Sequence, residues 1–275
     1  MQPIWLIWLR VAAVLYGLGF IYVLSQLRSK DAPLSRFAVP TVGLGLIFHF
    51  VSIVETTYFN GFQHLLDIRH AESALALLIM IIFMGVFVRY RTTSPGVFVL
   101  PLVFFLTVAS AVSQRPAEIS SMPMLRSGWI FFHVSTLLIG YAALFLSFVS
   151  SILYIFQARS LKAKVQPGWL SKLPALQITD ELGYKALLIG FPFMTVGLIA
   201  GMIFASEKFG ASYFADPKVL LSLLMWGVYM LLIYTRWSAG WRGRKAAYLA
   251  TFAFVAAVCA WAANYLSRVH RFVAP

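Results

Sequence analysis

Cysteine is almost absent: the chain has one, Cys259, inside an apolar run. A disulfide within the chain and a cysteine-based metal site are thereby excluded. Charge is scarce as well. Of 275 residues, 11% are charged, where a soluble domain carries about a quarter. Acidic side chains are the rarest, 9 against 22 lysines and arginines. Missing too are the short motifs of nucleotide and zinc chemistry: no P-loop, no GxGxxG after a strand and no HExxH. No internal repeat stands out, and no stretch reads as a soluble domain.

What the chain does have is apolar length. Hydrophobic residues make up 61% and fall in blocks of about 17 to 25, the span of a bilayer core at 1.5 Å per residue. Eight blocks stand out, at 4–25, 37–56, 72–89, 96–112, 129–157, 184–204, 218–234 and 246–265. They predict an all-α, polytopic membrane protein, a bundle of eight transmembrane helices forming one integral-membrane domain over 1–275. Within it, 1–128 holds four spans and an outer loop, and 129–275 holds the other four. The fifth block is long enough to tilt or to project from the lipid. The fourth follows a tight turn at Ser94-Pro95-Gly96. No cleavable signal peptide is expected, because the first block is too long and no small-residue cleavage site follows it.

The net charge of +13 points to topology and anionic lipid rather than to nucleic acid, since most of it lies in short loops. Loops after odd-numbered spans carry the larger share, including Arg159, Lys162, Lys164 and Lys172, then Arg236, Arg242, Arg244 and Lys245. The opposite face carries fewer, among them Arg126, Lys208, Lys218 and Arg268. The positive-inside rule puts the first face in the cytoplasm, and so both termini on the outer face. Arg10 lies inside the first span, either snorkelling to the interface or countering an acidic ligand group.

On this topology all five histidines fall in the outer half of the membrane or beyond it. His64 and His70 occupy an outer loop and read as surface residues. His49 stands 12 residues into the second span, about 18 Å deep and past the midplane of a ~30 Å core. It is a hydrogen-bonded packing residue or a functional group. His133 opens the fifth span and His270 follows the eighth. Between them, on the same side, lies the stretch 204–218, an aromatic loop with Phe209, Tyr213 and Phe214. It ends in Asp216-Pro217, a helix start: the aspartate caps free N–H groups and proline is tolerated in the first turn.

Two imidazoles with no cysteine or carboxylate pattern beside them are poor ligands for structural zinc. They suit axial ligation of haem iron, where the porphyrin supplies the other four ligands. Aromatic side chains would face the flat macrocycle, and Arg126 and Lys218 could meet its propionates. The aromatics could equally form an ordinary interfacial belt. An unrelated secondary transporter fits less well, for want of a broken-helix pair and of midplane ionisable groups.

Several runs share their order and spacing with a known family. They are Trp129-Ile130-Phe131-Phe132-His133-Val134-Ser135, Gly140-Tyr141-Ala142-Ala143, Ile189-Gly190-Phe191-Pro192 with Gly197, Asp216-Pro217-Lys218, Gly240-Trp241-Arg242-Gly243-Arg244, and the stretch from Asn264 to His270. In these the chain resembles the cytochrome c assembly family of CcsA, ResC and HemX-like haem-handling membrane proteins. The resemblance implies a bacterial-type plasma-membrane protein that binds haem b between two outer-face histidines, here His133 and His270. It would be a component of a haem lyase complex, working with a CcsB- or ResB-like membrane protein on apocytochrome c. The alternative within the family is a HemX-like regulator that contacts a tetrapyrrole-pathway enzyme and controls glutamyl-tRNA reductase. The family's tryptophan-rich segment, close to W-G-x-Y-W-x-W-D-P-K, stands here as Phe209 to Lys218, with Phe209, Tyr213 and Ala215 in place of three tryptophans. A further family histidine, near the end of the seventh span, is replaced by Tyr234 or a neighbour.

Overall fold

A computed structural model describes residues 3–28, 37–62, 68–112, 128–164 and 174–267. Among them there are no strands. The helices are α1 (Ile4–Arg28), α2 (Ala38–Asn60), α3 (Ile68–Tyr90), α4 (Gly96–Val112), α5 (Gly128–Ala163), α6 (Leu176–Phe209), α7 (Pro217–Trp237) and α8 (Arg244–Ala262). All but α4 are long and apolar enough to cross a membrane, seven helices among the described residues. The chain is therefore a multi-pass membrane protein. The fourth helix has 17 residues and carries Pro101 in its interior, so at 1.5 Å per residue it is only about 25 Å long.

The chain divides into two compact units, Met1–Ser121 with Arg159–Ala175, and Met122–Ala158 with Leu176–Pro275. In the first, α1 packs on α2 and α4, and α3 on α4. Leu6, Leu9, Ala12, Ala13 and Tyr16 form the buried side of α1, while Ile7, Val14, Leu18 and Ile21 stay exposed. This is the pattern of a helix in lipid, where an exposed apolar face costs nothing. Polar groups inside such a bundle must find each other. His49, fully buried on α2, does so: Nε2 shares a 2.9 Å hydrogen bond with Ser73 Oγ of α3. Its Nδ1 lies 3.4 Å from the Tyr16 hydroxyl of α1. The ring joins three helices, which is the packing role. His70, expected in a loop at the surface, lies instead in the first turn of α3 and is partly buried against Trp5, ring centroids 5.4 Å apart, and Arg10 is exposed.

In the second unit α8 turns a row of alanines inward: Ala246, Ala250, Ala253, Ala257 and Ala260 are buried. They recur every three or four residues, so they share one face. Its large residues Tyr248, Phe252, Val255 and Trp261 point outward. Small residues inside let helix backbones approach in a membrane, where the usual hydrophobic drive between helices is missing. Beyond the apolar zone, Asp180 of α6 accepts two hydrogen bonds from Arg236 of α7, at 3.1 and 2.8 Å. The same carboxylate accepts from the Gly243 N–H at 3.3 Å, fixing the turn before α8, and Arg236 lies 4.5 Å over the Tyr184 ring.

Two expectations need correcting. The sixth helix starts at Leu176, not near 184, because polar Thr179, Asp180 and Glu181 extend it past the apolar block. Lys185 pairs with Glu181 one turn away at 2.6 Å. The stretch 204–218 is not an irregular loop. The helix α6 runs on to Phe209, Gly210 breaks it with φ 62°, and a short 3-10 helix, Gly210–Ala215, follows. Only glycine adopts that left-handed angle without strain.

Candidate functional site

His133 lies on the second turn of α5. Its Nδ1 is 2.6 Å from the carbonyl oxygen of Gly197 on α6. A carbonyl can only accept, so Nδ1 carries the proton, and the neutral ring keeps its lone pair on Nε2. This is how metal-ligating histidines are commonly oriented.

The ring lines a cleft of about 580 Å³, counting its open mouth. Leu137 and Tyr141 of α5 also line it, with Leu198 and Met202 of α6 and Tyr213 of the 3-10 helix. Lys218, Val219, Ser222 and Leu223 of α7 form another wall, and Trp261 with Asn264 close the C-terminal side. One imidazole, three further aromatic rings and one cation thus surround a mostly apolar space. Lys218 Nζ donates to the Asn264 side-chain oxygen, which holds the cation at the wall. Burial first, and then the nearby Asp216 carboxylate, push the Tyr213 phenol above its ordinary value. It therefore stays a neutral hydroxyl at physiological pH.

Asp216 is a structural residue. Its Oδ1 accepts from the Lys218 backbone N–H at 3.0 Å, capping α7, with Pro217 in the first turn as its sequence implies. Its Oδ2 accepts from Ser267 Oγ at 3.0 Å. The carboxylate therefore ties the start of α7 to the chain beyond α8, and Ser267 is the last described residue before 268–275.

Of the residues singled out from sequence, His133, Tyr213 and Lys218 share the cleft, with Asp216 directly behind it. Phe214 is 45% exposed and lies against Tyr213, ring centroids 5.5 Å apart, off the cleft wall. Phe209 ends α6, and its side chain lies outside the described residues, as do Arg126, His64 and His270. Tyr141, Met202, Trp261 and Asn264 were not anticipated as cleft residues. Trp261 near the end of α8 and Asn264 in the short 3-10 turn that follows it, Ala263–Tyr265, stand three apart in sequence; that spacing was the available signal. The donor set fits a flat, largely apolar ligand that bears acid groups and accepts a nitrogen ligand.

The profile of the family described as Cytochrome C assembly protein matches residues 43–270. The chain belongs to the cytochrome c assembly protein family. Relatives of this assembly protein carry the name cytochrome c biogenesis protein CcsA. The one from Heterosigma akashiwo is 29% identical over 234 residues, 72% of this chain and 73% of the relative. That from Guillardia theta is 28% identical over 220 residues, 72% of each chain. That from Thermosynechococcus vestitus is 31% identical over 212 residues, 63% of this chain and 66% of the relative. No solved structure matches. The match covers both units of the assembly protein and gives it a role in cytochrome c biogenesis. Nothing in the relatives supports the HemX-like alternative.

Proposed function

We propose that this protein holds haem b at the outer face of a bacterial-type plasma membrane and presents it to apocytochrome c. It would do so as part of a haem lyase complex with a CcsB- or ResB-like membrane protein. In this reading α4 is an eighth span, both termini face outward, 1–275 acts as one integral-membrane domain, and 129–275 is its haem-handling core. His133 and His270 would hold the haem iron. Tyr213, Phe209 and Phe214 would line the porphyrin face. Lys218 and Arg126 meet the propionates, and Asp216 keeps Lys218 in place by capping its helix. Bound haem supplies the vinyl groups to which the two thiols of an acceptor C-x-x-C-H motif add. The protein's own residues position the substrate and keep water from it.

One observation carries this reading: an imidazole with its tautomer set by a backbone carbonyl lines the same apolar cleft as Tyr213 and Lys218. The test is the absorption spectrum of protein purified in detergent, before and after added haemin. A Soret band in the wild type, weakened and shifted in both His133→Ala and His270→Ala, is expected. No band in the wild type overturns haem binding. A band that neither substitution alters overturns the ligand assignment.

A further inference from the structure

Four glycines of α6 face α5. Gly183, Gly190 and Gly197 are seven residues apart, two turns each, so they lie on one side of the helix. Gly201 follows one turn later. A Cβ at Gly183 would stand 3.2 Å from Ser150 Cβ, and one at Gly190 2.8 Å from Leu144 Cγ and 3.0 Å from the Gly140 oxygen. At Gly197 it would stand 2.8 Å from Leu137. At Gly201 it would collide with the His133 ring itself. The α5 partners run backwards, 150, 144, 137, 133, as an antiparallel pair requires. The contact is backbone on backbone at its middle: a Cβ on Gly140 would stand 2.9 Å from the Met194 nitrogen.

This seam fixes the register of α5 against α6, with α5 side chains seated on the α6 glycines and backbone meeting backbone only near Gly140. At its outer end it delivers two things to one imidazole, an acceptor from Gly197 and an empty seat at Gly201. We propose that Gly201 is a positioning residue for His133: the ring occupies the volume that a side chain at 201 would fill, and only there does Nδ1 reach the Gly197 carbonyl. A methyl at 201 displaces the ring, breaks that hydrogen bond and re-aims Nε2. The helix pair itself stays intact, because the colliding atoms are the end of a side chain and not backbone. The same methyl at 190 would meet backbone and separate the helices.

The inference rests on the reading of His133 as an iron ligand, and its test separates the two. Gly201→Ala and Gly190→Ala are purified in detergent beside the wild type. Gly201→Ala is expected to unfold near the wild-type temperature, bind haemin about tenfold or more weakly and show a shifted Soret band. Added imidazole, entering the vacated ligand position, is expected to restore the wild-type band. Gly190→Ala is expected to lose thermal stability, with no rescue by imidazole. A wild type that takes up no haemin overturns the ligand reading. A wild type that binds, beside a Gly201→Ala protein of unchanged spectrum and affinity, overturns the positioning role alone. Histidine nitrogen NMR of the ligand-free wild type, assigned against His133→Ala, gives a readout independent of the variants' folding. The Nδ1–H form is expected; an Nε2–H form overturns the proposal.

Discussion

Asp216 shows how one side chain can serve the site without touching the cleft. Its two oxygens take separate partners, the Lys218 backbone N–H and the Ser267 hydroxyl, while the residue itself is 6% exposed. Removing it leaves a helix N-terminus uncapped and takes one hydrogen bond from the buried Ser267 hydroxyl. Asp216→Ala is expected to destabilise the protein by about 2 kcal/mol, combining the cost of a lost cap with that of a lost buried hydrogen bond. Asp216→Asn, which still accepts at one oxygen, is expected to lose less. Thermal unfolding in detergent, monitored by circular dichroism, checks the order of the three proteins. Equal stability of the alanine variant and the wild type would remove Asp216 from the frame. This residue was legible in the sequence, because Asp-Pro before an apolar run is a local signal that owes nothing to tertiary contacts. Lys218 was legible only as a neighbouring cation; its bond to Asn264, 46 positions away, was not.

At the scale of the helix, length and apolarity mark where a span lies, but they do not mark its faces. In a soluble bundle a polar stripe would show which side is outside. Here both sides of α8 are apolar, so the alanine row at 246, 250, 253, 257 and 260 carried no contrast in hydrophobicity, only in size. The same reason hid the glycine seam of α6. The ends of helices were misread where polarity and helicity part company: Thr179 and Asp180 are polar yet helical, and Ser206 and Glu207 continue α6 beyond its apolar block. The buried row gives a clear expectation. Ala253 is fully buried, whereas Phe252 beside it is 60% exposed. Ala253→Leu adds three heavy atoms to the packed side, and is expected to cost about 1–3 kcal/mol by overpacking. Phe252→Leu, on the lipid-facing side, is expected to change stability by less than about 0.5 kcal/mol. Unfolding of both variants in one detergent distinguishes them, and equal effects would mean that the alanine row is not a packing face.

For the molecule as a whole, the proposal depends on which side of the membrane the cleft occupies, and charge is the argument for that. Arg242 in the turn between α7 and α8, and Arg244 and Lys245 in the first turn of α8, are exposed, and basic residues at such helix ends stay in the cytoplasm. The opposite end of α7 begins at Pro217, beside the cleft, so a helix of 21 residues, about 31 Å long, separates the two. The scarcity of cysteine makes this measurable. With Cys259 replaced by alanine, a single cysteine can be placed at Ser206, exposed near the end of α6, or at Ser238, exposed just past α7. A membrane-impermeant maleimide added to intact cells is expected to label Ser206→Cys and to leave Ser238→Cys unlabelled until the membrane is opened. The reverse pattern would place His133, Tyr213 and Lys218 on the cytoplasmic side. Haem would then have to be presented where an acceptor on the far side could not reach it, and the delivery role would fail even if the cleft binds haem. Labelling of both from outside would mean that α7 does not cross the membrane, which would remove the structural basis for the cleft as well as for its orientation.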